Sequence, residues 1–361
     1  MAAPGTVNLE GLLLPTWKNL FYPPEEGEYT YFAHAAKHPF TEPRAPGAAF
    51  SAAKAAWAAD AAMLAYGRFG QQAMPESRFR SILSNAGLTD CTFLGDWSAT
   101  GHGTQGFFAG NNEFAILAFR GSERDDPADS LTDIDFRPSQ ERDFTAAQPP
   151  PSHSLLHMLE DGVETLMNGC VVHHGFQQAL NQVWDQTKGL LDSYRSAHST
   201  AEICFTGHSL GAALATLAVS RFAGRNASLY TIGSPRVGNA AFCGRVHDRA
   251  TLGAFRFVDN NDLVTHVPIQ MPLYEHVENQ CYRFDDHGRL TPTNFGALSD
   301  FKDLADIIAE LAERWKFQEL NQPAPSRLVD HSPARYCIRL RNYLAASSTA
   351  SGQRSVASGA A

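Results

Sequence analysis

Residues 203–213 read Ile203-Cys204-Phe205-Thr206-Gly207-His208-Ser209-Leu210-Gly211-Ala212-Ala213. An apolar run ends in G-x-S-x-G and passes into small, helix-forming residues. A serine hydroxyl is a weak nucleophile unless a base reaches it and the backbone presents it on a sharp, exposed turn. Strand, corner and helix, in that order, supply this presentation. Gly207 and Gly211 flank Ser209 because such a corner brings backbone too close for a Cβ on either side. The bare five-position pattern recurs by chance in about one chain of this size in ten, taking each fixed residue at ~7%. Its placement between an apolar strand and a helix is what gives it meaning.

Outward from this corner, residues 106–121 predict a hairpin. Gly106-Phe107-Phe108-Ala109 and Phe114-Ala115-Ile116-Leu117-Ala118-Phe119 flank a Gly110-Asn111-Asn112 turn. Helices are expected at about 50–66, 174–196 and 210–223, and strands at about 228–232 and 254–259, with a short strand-like piece near 131–136. A further helix over 298–320 repeats Leu298, Phe301, Leu304, Ile308, Leu311 and Trp315 on one face and reads as core packing. The alternation predicts an α/β fold with a mainly parallel central sheet flanked by helices. Residues 1–46, rich in proline and aromatics without a period, predict an extended amino-terminal arm across the surface of a domain at 47–344. Residues 345–361, rich in Ser, Ala and Gly, predict a disordered tail.

With 361 residues, 43% hydrophobic and 19% charged, the chain is long enough for one large core. A net charge of −9 offers no basic face for nucleic acid. No uninterrupted apolar run approaches the ~20 residues of a membrane-spanning helix. Gly11-Leu12-Leu13-Leu14-Pro15 offers three apolar residues in a row, and no positive residue precedes it before Lys18. The expectation is a soluble protein without a secretion leader, cytoplasmic or exported by a route that needs none. The six cysteines, Cys91, Cys170, Cys204, Cys243, Cys281 and Cys337, are scattered and include no C-x-x-C pair, which argues against zinc. Cys204, inside the strand that feeds the corner, reads as a free buried thiol.

The partners of a nucleophile on such a corner follow it in the order acid, then histidine. Phe255-Arg256-Phe257-Val258 reads as a strand, so Asp259 and Asp262 both stand at the carboxyl edge of the sheet, where sites of open α/β sheets gather. Both compete for the acid. Four histidines follow: His266, His276, His287 and His331. His331, in a Val329-Asp330-His331 loop after the long helix, leads, with His266 next. Donors for a developing oxyanion are expected from the Leu210 N–H, at a helix N-terminus, and from Ser122, which ends the strand Phe119-Arg120-Gly121-Ser122.

Six segments then carry a resemblance, in one order. They are Ala118-Phe119-Arg120-Gly121-Ser122, Leu131-Thr132-Asp133-Ile134-Asp135-Phe136, Val172-His173-His174-Gly175-Phe176, the Thr206–Gly211 core, Tyr230-Thr231-Ile232-Gly233-Ser234-Pro235-Arg236-Val237-Gly238, and Asn261-Asp262-Leu263-Val264-Thr265-His266-Val267-Pro268. Together they resemble the fungal-type class 3 lipases of the α/β-hydrolase superfamily. The resemblance places the acid on Asp262, the base on His331, the oxyanion donors on Ser122 and Leu210, and a brace for the oxyanion loop on Asp133. It implies a serine carboxylic-ester hydrolase with a Ser209-Asp262-His331 triad, a triacylglycerol lipase or esterase, with phospholipase A1 or a feruloyl-type or short-chain carboxylesterase as alternatives. A non-enzymatic binding module is disfavoured, because no triad member is missing. No cofactor or metal is implied; the partners implied are an ester or lipid substrate and a transient lipid interface.

Two departures stand out. Residues 123–130, where family members carry an apolar lid, are polar and anionic (Glu123, Asp125, Asp126, Asp129). The long insertion 137–160 contains the apolar Leu155-Leu156-His157-Met158-Leu159 and can serve as a lid instead. The acidic residues Asp125, Asp126, Asp129, Asp133 and Asp135 lack calcium-loop spacing and read as a solvated loop with one brace.

Overall fold

The computed structural model describes residues 20, 27–45, 47–67, 74–98, 103–121, 138–141, 169–268, 274–277, 280–293 and 326–358. Strands β1 (Asp90–Leu94) and β3 (Phe114–Phe119) each pair antiparallel with β2 (Gly106–Gly110) between them. β4 (Pro138–Gln140) and β5 (Val171–His173) pair separately as a short ribbon. β6 (Glu202–His208), β7 (Ala227–Ile232), β8 (Ala254–Asp259) and β9 (Cys281–Phe284) extend β3 in parallel, and β10 (Leu290–Pro292) closes the far edge antiparallel. The resulting order is β1-β2-β3-β6-β7-β8-β9-β10.

The central strands are apolar on both faces because both faces are covered, as parallel sheets require. In β3, Phe114, Ile116 and Ala118 face one core cluster, and Ala115, Leu117 and Phe119 face the other. The first cluster is closed by helix α1 (Ala52–Leu64) and the second by α5 (Leu210–Arg221), the helix leaving β6. The predicted hairpin forms as β2 and β3, with the Asn111 side chain accepting from the Glu113 and Phe114 amides at 2.8 and 3.1 Å. Helix α2 (Glu76–Asn85) packs Phe79 and Leu83 into the first cluster. The helix expected over 174–196 is two, α3 (His174–Asn181) and α4 (Trp184–Ala197).

The chain ends are tied into this core. Tyr29, Phe32 and Phe40 are buried within the first cluster, and Phe40 stacks on Phe114 with ring centroids 4.3 Å apart. Within residues 27–45 these aromatics fill space that α1 and β3 leave between them, while Glu28, Thr30 and Lys37 stay exposed. After α5 (Leu210–Arg221), α6 (Ala240–Arg249) and α7 (Ser326–Val329) comes α8 (Pro333–Ser358), which runs on through most of the stretch expected to be a disordered tail. Ser347, Ser348 and Thr349 donate their hydroxyls to carbonyls four residues earlier at 2.8–2.9 Å, so the small polar residues are satisfied within the helix.

Asp60, fully buried in α1, joins both ends. Its carboxylate accepts from the Tyr29 hydroxyl, the Phe32 amide and the Arg341 guanidinium of α8. Asp60→Ala leaves a buried guanidinium without its carboxylate, a loss of about 3–5 kcal/mol. Urea unfolding is expected to read this as a lowered midpoint, and a stability change under about 1 kcal/mol contradicts it.

The helix expected over 298–320, the strand-like piece near 131–136 and both lid segments, 123–130 and 137–160, lie outside the described residues.

Candidate active site

β6 delivers the corner. Ser209 has φ 59° and ψ −129°, a conformation costing a non-glycine residue about 1–3 kcal/mol. Its amide donates to the Ile232 carbonyl of β7 at 3.1 Å, which anchors the turn to the neighbouring strand. The glycines are required by space. A Cβ on Gly207 would lie 2.2 Å from the Gly211 carbonyl carbon, and one on Gly211 would lie 2.2 Å from the Phe119 carbonyl oxygen. Leu210 opens α5, so its N–H stands at the positive end of a 12-residue helix. Ser122 lies outside the described residues. Gly121, its predecessor, sits so close to the corner that a Cβ there would meet the His208 carbonyl oxygen at 2.8 Å.

β8 delivers the acids, and the two candidates part. Asp262 caps the 3-10 turn Leu263–His266, its Oδ1 accepting from the Val264 amide at 2.9 Å. Its Oδ2 accepts from His331 Nδ1 at 2.8 Å and from the Tyr336 hydroxyl at 2.6 Å. Asp259 turns to α8 instead, pairing with Arg335 and, at 3.5 Å, with Arg339. Among the downstream histidines, His331 is the one whose hydrogen bond reaches Asp262. The His266 carbonyl accepts from Arg236 at 2.6 Å, His276 Nε2 lies 2.8 Å from the Thr265 carbonyl, and His287 sits in an exposed turn at Asp285.

A carboxylate only accepts, so His331 bears its proton on Nδ1 and presents the lone pair on Nε2. Burial pushes the imidazole down to about 3, which keeps it neutral. Burial likewise raises Asp262, against the donors from Tyr336 and the Val264 amide. The loop carrying His331 is tied to the corner by His208, whose Nε2 lies 2.8 Å from the His331 carbonyl.

Two of these partners carry no signal in the sequence. Tyr336 follows His331 by five residues in no recognisable motif, and His208 occupies the position that G-x-S-x-G leaves open. Among the described residues no cluster of His, Cys, Asp and Glu is arranged to hold a metal ion, and no disulfide joins any of the six cysteines.

Residues 116–271 match the family model described as "Lipase (class 3)". Over these residues the chain is similar to the class 3 lipases. The match begins within β3 and ends just past the 3-10 turn that Asp262 caps, so it takes in the corner and the acid loop and stops short of His331. The chain is 38% identical over 119 residues to a secreted mono- and diacylglycerol lipase of Fusarium solani, covering 32% of this chain and 35% of that one. It is 37% identical over 120 residues to a secreted mono- and diacylglycerol lipase of Penicillium cyclopium, covering 32% and 39%. It thus aligns with little more than a third of the length of these relatives.

Two solved lipase structures show the same fold. A mono- and diacylglycerol lipase from Aspergillus oryzae superposes with a TM-score of 0.52 at 21% identity, over 80% of this chain and 100% of that one. A lipase from Rhizopus microsporus var. chinensis gives 0.50 at 21% identity, over 86% and 96%. The architecture is that of an α/β-hydrolase.

These relatives also correct one expectation. A cytoplasmic or leaderless chain was expected from the short apolar run near the amino terminus, yet the matched relatives are secreted enzymes and point to an exported protein. A short apolar stretch is weak ground for an address, because it reports local hydrophobicity and not the compartment in which the fold works. Among the described residues no helix is long and apolar enough to cross a membrane.

Proposed function

We propose that this chain is a serine carboxylic-ester hydrolase acting on acylglycerols. The observation that carries the reading is a serine on a strained strand-to-helix corner, with a His331–Asp262 pair in which the His331 main chain is tied to His208, the residue before that serine. Ser209 Oγ attacks the ester carbonyl while His331 Nε2 takes its proton. Asp262 holds the imidazole in the Nδ1–H tautomer and stabilises the imidazolium. The Leu210 N–H, with Ser122, binds the tetrahedral oxyanion. His331 then protonates the leaving alcohol, and water cleaves the acyl-enzyme by the same relay.

The named activity of the Fusarium, Penicillium and Aspergillus relatives supports mono- and diacylglycerols as substrates. Hydrolysis of mono-, di- and triacylglycerol, phospholipid and a feruloyl ester by the purified chain tests this. The largest kcat/KM is expected on an acylglycerol, and a preference for phospholipid or feruloyl ester overturns the substrate class. The secreted relatives support export of this chain as well.

The active form of His331 is neutral, and its pKa lies below the ordinary 6.5. Neutral imidazole therefore persists into acid, and kcat/KM falls only as pH drops through that lowered value. A pH profile on a soluble ester is expected to place the acid limb below 6.5; half-maximal activity at or above 6.5 contradicts the assignment.

A further inference from the structure

Tyr66 and His208 have no part in the chemistry above. Tyr66 lies two residues past α1, His208 ends β6, and both side chains are buried. His208 Nε2 lies 2.8 Å from the His331 carbonyl oxygen, and its Nδ1 lies 2.9 Å from the Tyr66 hydroxyl. A carbonyl only accepts, so Nε2 carries the proton. Burial holds the imidazole neutral, so Nδ1 carries none and the Tyr66 hydroxyl must donate to it. The chain has a direction: Tyr66 O–H to His208 Nδ1, then His208 Nε2–H to the His331 main chain.

This chain sits at a junction. The His208 and His331 rings lie 4.4 Å apart, and a Cβ on Gly121 would meet the Tyr66 hydroxyl oxygen at 1.9 Å. The tyrosine hydroxyl therefore rests on the backbone that leads into Ser122. His331 itself lies between α7 and α8. Asp262 orients its ring from one side, and His208 holds its main chain from the other.

We infer that Tyr66 and His208 are positioning residues, which pin the His331 backbone to the nucleophile corner and so set the direction of its Nε2 during ester hydrolysis. The inference rests on the serine-hydrolase reading. A buried pair that merely fills space would need no directed hydrogen bonds and would leave turnover unchanged when one donor is lost.

Tyr66→Phe keeps the ring and removes only the donor. One neutral hydrogen bond corresponds to about a fivefold to tenfold effect, expected in kcat with KM unchanged. His208→Gln, which retains an amide donor toward the His331 carbonyl, is expected to keep more kcat than His208→Ala. The Tyr66→Phe/His208→Ala double variant is expected to be no slower than His208→Ala alone, because both act through one link. Nitrogen-15 NMR of the wild type is expected to show the Nε2–H tautomer at His208. Wild-type kcat in Tyr66→Phe, multiplicative effects in the double variant, or an Nδ1–H tautomer overturns the inference. Should His208→Ala fail to fold, Tyr66→Phe and the NMR assignment decide it. Labelling of wild-type Ser209 by a fluorophosphonate separates the two levels. A labelled, active wild type with an unaffected Tyr66→Phe rejects the positioning role alone, and an unlabelled, inactive wild type overturns the hydrolase reading and this inference together.

Discussion

Ser209→Ala is expected to lower kcat for acylglycerol hydrolysis by about 10⁶-fold, leaving the residual rate that binding and the oxyanion donors supply. The magnitude is large because, in the proposed mechanism, the hydroxyl is the atom that forms the acyl-enzyme, and neither His331 nor the corner can replace it. The fold should tolerate the change. Alanine fits wherever serine does, and the strain at φ 59° is borne by the backbone in both. Turnover within about tenfold of wild type, measured on the same ester with matched thermal midpoints, would end the assignment of Ser209 as nucleophile. Loss of fluorophosphonate labelling in the variant is the companion result.

Asp262→Asn is expected to lower kcat by about 10⁴-fold near neutral pH, without unfolding the protein. The asparagine oxygen can still accept from the Val264 amide, which now reaches Oδ1 at 2.9 Å. Its NH2 then faces His331 Nδ1, which must accept instead of donate. The imidazole proton moves to Nε2, and the base facing the serine is lost. Folding is unharmed because an amide replaces a buried carboxylate of similar shape. Asp259→Asn separates the two acids: Asp259 pairs with Arg335 and Arg339 and touches no histidine in this arrangement, so its loss should tell on stability and not on the tautomer. A rate loss under about tenfold for Asp262→Asn would remove Asp262 from the relay.

The corner at 207–211 was legible because its constraints are local. Two glycines, one serine, a preceding apolar run and a following helix former all act within eleven residues, and the Cβ clashes at Gly207 and Gly211 involve backbone only a few residues away or on the adjacent strand. The parallel centre was legible for a related reason: strands apolar on both faces, such as Phe114–Phe119, can only be buried between two layers. The choice between Asp259 and Asp262 was not local. Three positions apart, they look alike to the local pattern and were separated only by the family resemblance, whereas in the structure α8 brings Arg335, Arg339 and Tyr336 to them across some 75 residues of sequence. The same holds for the aromatics of 27–45, whose lack of period says nothing of the space between α1 and β3 that they fill.

The sequence by itself therefore determined the layered α/β architecture and the nucleophile corner, because periodicity and short-range sterics act along the chain. The resemblance had already placed the acid on Asp262; the tertiary structure added the bond from His331 to that carboxylate, the closure of the two chain ends over Asp60, and His208, itself held by Tyr66, against the His331 main chain. Those outcomes depend on hydrogen-bond directions between segments far apart in sequence, and a directional bond exists only once both ends have been placed.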